Sequence, residues 1–186
     1  MKKISIGTLV ATVIFFAFQS VMWMGGFHND FNTYTDKQPI IMQTLNENLD
    51  KDGMYMMPTT DWSKPNSEAE TEKLMKESVG KPWAMVFYHK QMMGMEASYM
   101  LVGLFYTLIS CLIASLILYY GKFNTFQSRF WVAFAFALFT LMQGVLDDMN
   151  WWGYSWSFVK PEVIDLTLGW GICSLWLAWY VKNTEG

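Results

Sequence analysis

The chain has 186 residues and a formal net charge of −3, with 53% hydrophobic, 18% aromatic and only 16% charged side chains. That balance is too apolar for an ordinary water-soluble domain and too acidic to offer a nucleic-acid surface. Two cysteines, Cys111 and Cys173, cannot build a disulfide framework and read as small apolar packing residues.

Four segments, at 4–24, 95–120, 130–147 and 162–181, are apolar and long enough to cross a hydrocarbon layer of about 30 Å at about 1.5 Å per helical residue. The expected fold class is therefore an integral membrane α-helical protein, with four transmembrane helices and a small extracytoplasmic αβαβ domain between helices 1 and 2. Its divisions are 1–25 (transmembrane helix 1, a signal anchor), 26–93 (the small α/β domain) and 94–182 (three transmembrane helices with a short outer aromatic and acidic loop at 148–161).

In the first segment, Lys2 and Lys3 before an apolar run resemble the start of a secretory signal, but the run continues to Met24 without a small-x-small cleavage site. A retained anchor is the reading. Gly7, Thr8, Ala11 and Thr12 place small residues at i and i+4 twice, a pattern that lets helix backbones approach closely. Lys2, Lys3, Lys122, Arg129 and Lys182 all fall on one side of the expected spans, which puts both termini in the cytoplasm. A bacterial inner membrane is the expected location.

The segment 25–93 holds seven Lys against ten Asp plus Glu. Pro39 suits a helix start, with Ile41, Met42, Leu45 and Leu49 on one face, and Asp52-Gly53 ends that helix in a turn. Met54 to Met57 reads as a short strand, Ser67 and Glu70 as the capping box of a charged helix to about Glu77, and Trp83 to His89 as a stronger strand. A strand, a crossover helix and a strand suggest a right-handed βαβ unit with parallel strands. Two strands and two helices are marginal alone, so this domain is expected to rest on the bundle or on a partner.

In the second span Glu96, Gly103 and Ser110 recur every seven residues, beside Tyr99, Tyr106 and Thr107, and this small polar face is expected to turn inward. The third span carries Ala133, Ala137, Thr140, Gly144 and Asp147 on one stripe, and the fourth Thr167, Gly171, Ser174 and Ala178 on another. Near the outer ends of the spans these elements bring a candidate polar rim of Glu96, Gln143, Asp147, Asp148 and Asp165, with His28 and His89 close by in sequence to span ends. Ionisable groups at membrane depth are costly unless paired or wet, which marks them as functional candidates. Against that stands solvation, mutual hydrogen bonding and the favourable placement of Glu162 and Asp165 near a helix N-terminus.

His28, His89, Met92, Met93 and Met95 form the candidate metal set, since imidazole suits zinc or copper and thioethers suit Cu(I). Methionine is also a flexible filler of apolar surfaces. No C-x-x-C, H-E-x-x-H, G-x-S-x-G, P-loop or dinucleotide fingerprint is present, and no cofactor is predicted beyond that copper or zinc alternative. Trp151, Trp152 and Trp156 in the outer loop read as interfacial anchors or as anchors in a protein contact.

Four spans, a large first outer loop and both ends inside resemble the claudin-like layout in topology alone, because the first loop has neither the tryptophan-rich motif nor the paired cysteines of that family. The expected function is non-enzymatic: an accessory subunit or assembly partner of a larger membrane complex, in contact with membrane lipid and other membrane subunits and with no nucleic acid. The alternatives are extracytoplasmic copper or zinc handling and small-solute carriage.

Overall fold

Each of the four apolar runs forms a helix long enough to cross a membrane: Lys2–Met24, Ala97–Tyr120, Phe126–Trp152 and Trp156–Tyr180, of 23, 24, 27 and 25 residues. The computed structural model describes residues 1–65, 67–92, 94 and 96–182, with the side chain of residue 67 outside that description. In chain order the elements are α1 (Lys2–Met24), α2 (Gln38–Asn48), β1 (Gly53–Met57), α3 (Ser67–Ser78), β2 (Ala84–Tyr88), α4 (Ala97–Tyr120), α5 (Phe126–Thr140), α6 (Asp147–Trp152), α7 (Trp156–Ile164) and α8 (Trp170–Tyr180). Turns of π-helix at Leu141–Leu146 and Asp165–Gly169 join α5 to α6 and α7 to α8. The chain divides into two compact units, Met1–Tyr34 with Met95–Gly186, and Thr35–Gly94.

In the first unit α1 packs along α4 and α8, α5 packs along α8, and α4 and α5 touch only slightly. Small residues make these approaches possible. Gly7, Thr8, Ala11 and Thr12 are buried on the inner face of α1, where a Cβ on Gly7 would overlap Val181. They therefore serve packing within the chain's own bundle. Around them lie Cys111, Ala114 and Leu118 of α4, Ala133 and Ala137 of α5, and Trp170, Cys173, Leu177 and Val181. Polar groups in this core are bonded, as low dielectric requires. Thr8 donates to Ser115 at 3.0 Å, the Cys173 thiol faces the Ala11 carbonyl at 3.4 Å, and the indole N–H of Trp176 reaches the Gly7 carbonyl at 3.1 Å. Both cysteines are free.

The start of α1, Lys182 and the 121–125 turn share one end of the bundle, because Lys3 donates to the Lys182 carbonyl and Arg129 donates to the carbonyls of Ala178 (2.7 Å) and Phe123 (2.8 Å). The Arg129 side chain, buried at 8% exposure, thus satisfies a carbonyl of the last turn of α8 that the helix itself leaves open. Thr125 caps α5 in a reciprocal capping box with Ser128.

Four expectations for this unit fail in whole or in part. The inner face of α4 is Cys111, Ala114, Ser115 and Leu118, while Gly103 and Ser110 are exposed. Thr107 and Ser110 donate to the carbonyls of Gly103 and Tyr106, both at 3.0 Å, so hydroxyls that read as seeking a neighbouring helix are satisfied by their own. The stripe of the third span holds for Ala133 and Ala137, but the π turn inserts an extra residue after Thr140 and rotates Gly144 and Asp147 off that face. On the fourth span Ser174 and Ala178 are buried as the stripe requires, whereas Thr167 and Gly171 stand only half-buried at its edge. The expected loop at 148–161 is almost wholly helical: α6 ends at Gly153 in the left-handed region (φ 66°), Ser155 caps α7 by accepting from the Phe158 N–H, and only three residues separate the helices.

The second unit follows the expected order of helix, strand, helix and strand, with Pro39 in the first turn of α2. Its strands, however, are antiparallel, with Gly53 opposite Tyr88 and Met57 opposite Ala84. The connection leaves and returns at the same end of the sheet. Thr60 on the outgoing stretch hydrogen-bonds Thr71 on α3, so the polar stretch and the helix run beside each other and their displacements cancel, where a crossover would have had to carry the chain back along the strand. The other end is clipped by Asp52, which accepts from the Lys90 N–H at 3.0 Å and lies 3.3 Å from His89 Nδ1. Tyr88 is the one buried side chain among the unit's described residues, and its hydroxyl donates to Asn46 of α2 at 2.9 Å.

Candidate functional site

Where α1 runs out, Gly25 and Gly26 turn the chain so that His28 folds back under the helix end; Gly26 takes φ 79°. His28 is 1% exposed, with its ring edge-on to Trp23 at a centroid distance of 5.0 Å. Its Nε2 lies 3.4 Å from Oδ1 of Asp165, which opens the π turn after α7 and is itself buried. Gln19 donates to the other oxygen of that carboxylate at 3.2 Å. Gly169 at the far end of the same turn allows this approach of α1, since a Cβ there would stand 2.6 Å from the Phe18 ring. Outside the cluster, Lys160 holds both oxygens of Asp30, one at 2.7 Å, and this hydrogen bond lowers the Asp30 carboxyl below its ordinary range.

The imidazole, carboxylate and amide form a polar clasp between the first and fourth spans, and among the described residues His28 Nδ1 has no hydrogen-bond partner. Such an arrangement can hold a proton between His28 and Asp165 and can fix the turn after α1. It is not a metal centre as built, because among the described residues no three His, Cys, Asp or Glu groups converge.

The remaining rim residues do not join the clasp. Glu96 is exposed at the N-cap position of α4 and accepts from Ser98 at 3.3 Å, so the expected grouping of Glu96 with Asp147 or Asp165 does not form. Gln143 and Asp147 are exposed. Asp148 accepts from the Trp152 indole at 3.2 Å and, with Glu162, Tyr154 and Thr140, borders a cavity of about 210 Å³ between the π turn after α5 and α7. Trp151, Trp152 and Trp156 surround the 153–155 turn, exposed at 74%, 38% and 54%.

His28 belongs to the first unit and is paired with Asp165, while His89 belongs to the second and faces Asp52. Met92 is fully exposed, and Met93 and Met95 lie outside the described residues. Gln19 is the member of the clasp that sequence reasoning missed. Its signal was present, as an amide near the end of an apolar span facing a carboxylate of another, but single-sequence spacing does not reveal which spans adjoin.

No family model, curated protein or solved structure matches the chain.

Proposed function

We propose that the chain is a four-span membrane protein with both termini in the cytoplasm, a bacterial inner membrane its home and the Thr35–Gly94 unit outside, and that it works as a non-enzymatic subunit or assembly partner of a larger membrane complex. One observation carries the partner reading. The outer unit buries a single described side chain, while Ile40, Met54, Trp62, Val79, Trp83 and Phe87 stand 51–82% exposed on it. A soluble surface with that much apolar area is normally covered. Isolated two-stranded sheets are also marginal in water. The cations Lys3, Arg129 and Lys182, gathered at one end of the bundle, and the tryptophans at the 153–155 turn support the orientation.

Native electrophoresis of a mild-detergent extract, after crosslinking in the source cells, tests this. The chain is expected in a particle well above its 21.6 kDa, with crosslinks from residues placed at Trp83 and Phe87 to a second protein. A stable monomer whose only crosslinks from these positions fall within its own bundle would overturn the partner reading.

A further inference from the structure

We propose that the cleft between α4 and α5 is a binding site for a membrane-dissolved ligand carrying a planar ring with carbonyl oxygens, of the quinone class. The proposal uses the membrane placement above and is independent of any partner. Because α4 leans on α1 and α5 leans on α8, the two leave between them a cavity of about 320 Å³, within the range of small-molecule sites between bundle helices. Four rings line it: Phe15, Tyr106, Phe136 and Trp170. The deep wall is fixed, since Phe15 meets Trp170 edge-on at 5.7 Å and the Trp170 indole N–H is committed to the Ala133 carbonyl at 2.8 Å. Such walls favour a flat, polarisable guest.

The hydroxyls decide what that guest must carry. Thr12, Thr107, Ser110, Thr167 and Ser174 each donate to a carbonyl of their own helix, the ordinary habit of helical hydroxyls. Thr140 departs from it: among the described residues neither its hydroxyl nor that of Tyr106 has a hydrogen-bond partner, and both line the cavity. Thr140 lies about 21 Å along the helix from Phe126, exposed on the flank of its span and bordering both this cavity and the smaller one beside Asp148 and Glu162. A donor left open there is unfavourable until it finds an acceptor. Carbonyl oxygens on a ring held between the aromatic walls supply it, and a plain acyl chain does not. Entry is sideways from the lipid, past Tyr106 and Ser110, which are exposed on the open flank of α4.

The test is equilibrium binding of a radiolabelled benzoquinone with a decyl tail to the full chain in lipid nanodiscs, with decylbenzene as the carbonyl-free competitor. Saturable binding is expected that decylbenzene displaces poorly. Thr140→Val, which keeps shape and removes the donor, should weaken it about threefold to tenfold, the worth of one hydrogen bond. Ser110→Phe, which fills the cleft from its exposed side, should abolish it. Should that variant lose its thermal transition, Ile113→Trp, on the same wall, takes its place. Absent saturable binding, equal displacement by decylbenzene, or a Thr140→Val affinity equal to the parent's would each overturn the proposal, the second assigning the cleft to acyl chains.

Discussion

The two units of this chain are held together by different means. In the helical unit, side chains from distant parts of the sequence meet in a shared interior: Gly169 admits Phe18, Thr8 reaches Ser115, and Arg129 caps α8. In the αβαβ unit the bonds among described residues are mostly short-range or bridge the ends of one sheet, and a single tyrosine stands where a core would be. Shape complementarity makes the bundle sensitive to volume, whereas the small unit is sensitive to loss of its few contacts and indifferent to added bulk on its surface. The difference teaches that apolar content alone does not make a core, since both units are rich in large hydrophobics and one leaves them uncovered.

The largest effect tests that contrast in the small unit. Tyr88→Ala should remove about 3–5 kcal/mol, as aromatic truncations at buried positions do. Amide exchange in β1 and β2 is then expected to approach the unfolded rate while α1, α4, α5 and α8 keep their protection. Loss of protection in the helices as well would show the units to be one cooperative body.

A volume test sharpens the bundle side. Gly169→Leu must push the Phe18 and Phe15 rings aside and should cost about 2–3 kcal/mol, whereas a Cβ on Gly103 meets nothing within 4 Å. Gly103→Leu is expected to leave the thermal midpoint level or slightly raised, because glycine is about 1 kcal/mol worse than alanine inside a helix. Equal destabilisation by the two would mean that the α4 flank is not open.

Much of this architecture is legible in the amino-acid sequence. Spans, strands and the helix start at Pro39 follow from local rules that act over a few residues, and the element order of the small unit follows with them. What escapes depends on distant geometry. A π turn has no strong sequence mark, so the stripe through Ala133 and Ala137 stops short of the Asp147 that spacing alone assigns to it. The polarity of a two-strand sheet depends on whether a connection doubles back, which the Thr60 to Thr71 pairing decides and spacing does not. Of the rim, His28 and Asp165 are visible as unusual residues, but their pairing requires that α1 adjoin the fourth span, which no local rule reveals.

The smallest effect concerns acid. The Lys90 N–H bonded to Asp52, with His89 beside it, holds that carboxyl below its ordinary value of 3.8. A group whose pKa is lower folded than unfolded stabilises the fold above the unfolded value and loses that contribution as pH falls through the folded one. The protection factor, exchange corrected for its intrinsic pH dependence, should therefore fall at the Gly53 to Tyr88 end of the sheet below about pH 4, and Asp52→Asn should remove that pH dependence. An unchanged acid profile in the variant would detach the sheet end from Asp52.

The seam between α1 and α8 also sets an order of events during synthesis. Lys3 contacts Lys182 and Gly7 receives Trp176, pairings separated by 179 and 169 positions. The first helix to leave the ribosome thus waits for the last, and at a few residues to some tens per second that interval lasts many seconds. Throughout it the Gly7, Thr8, Ala11 and Thr12 face of α1 has only α4 to meet. A membrane chaperone that shields small-residue helix faces would find its substrate in this interval, and a truncated chain ending before Trp170 would prolong it indefinitely.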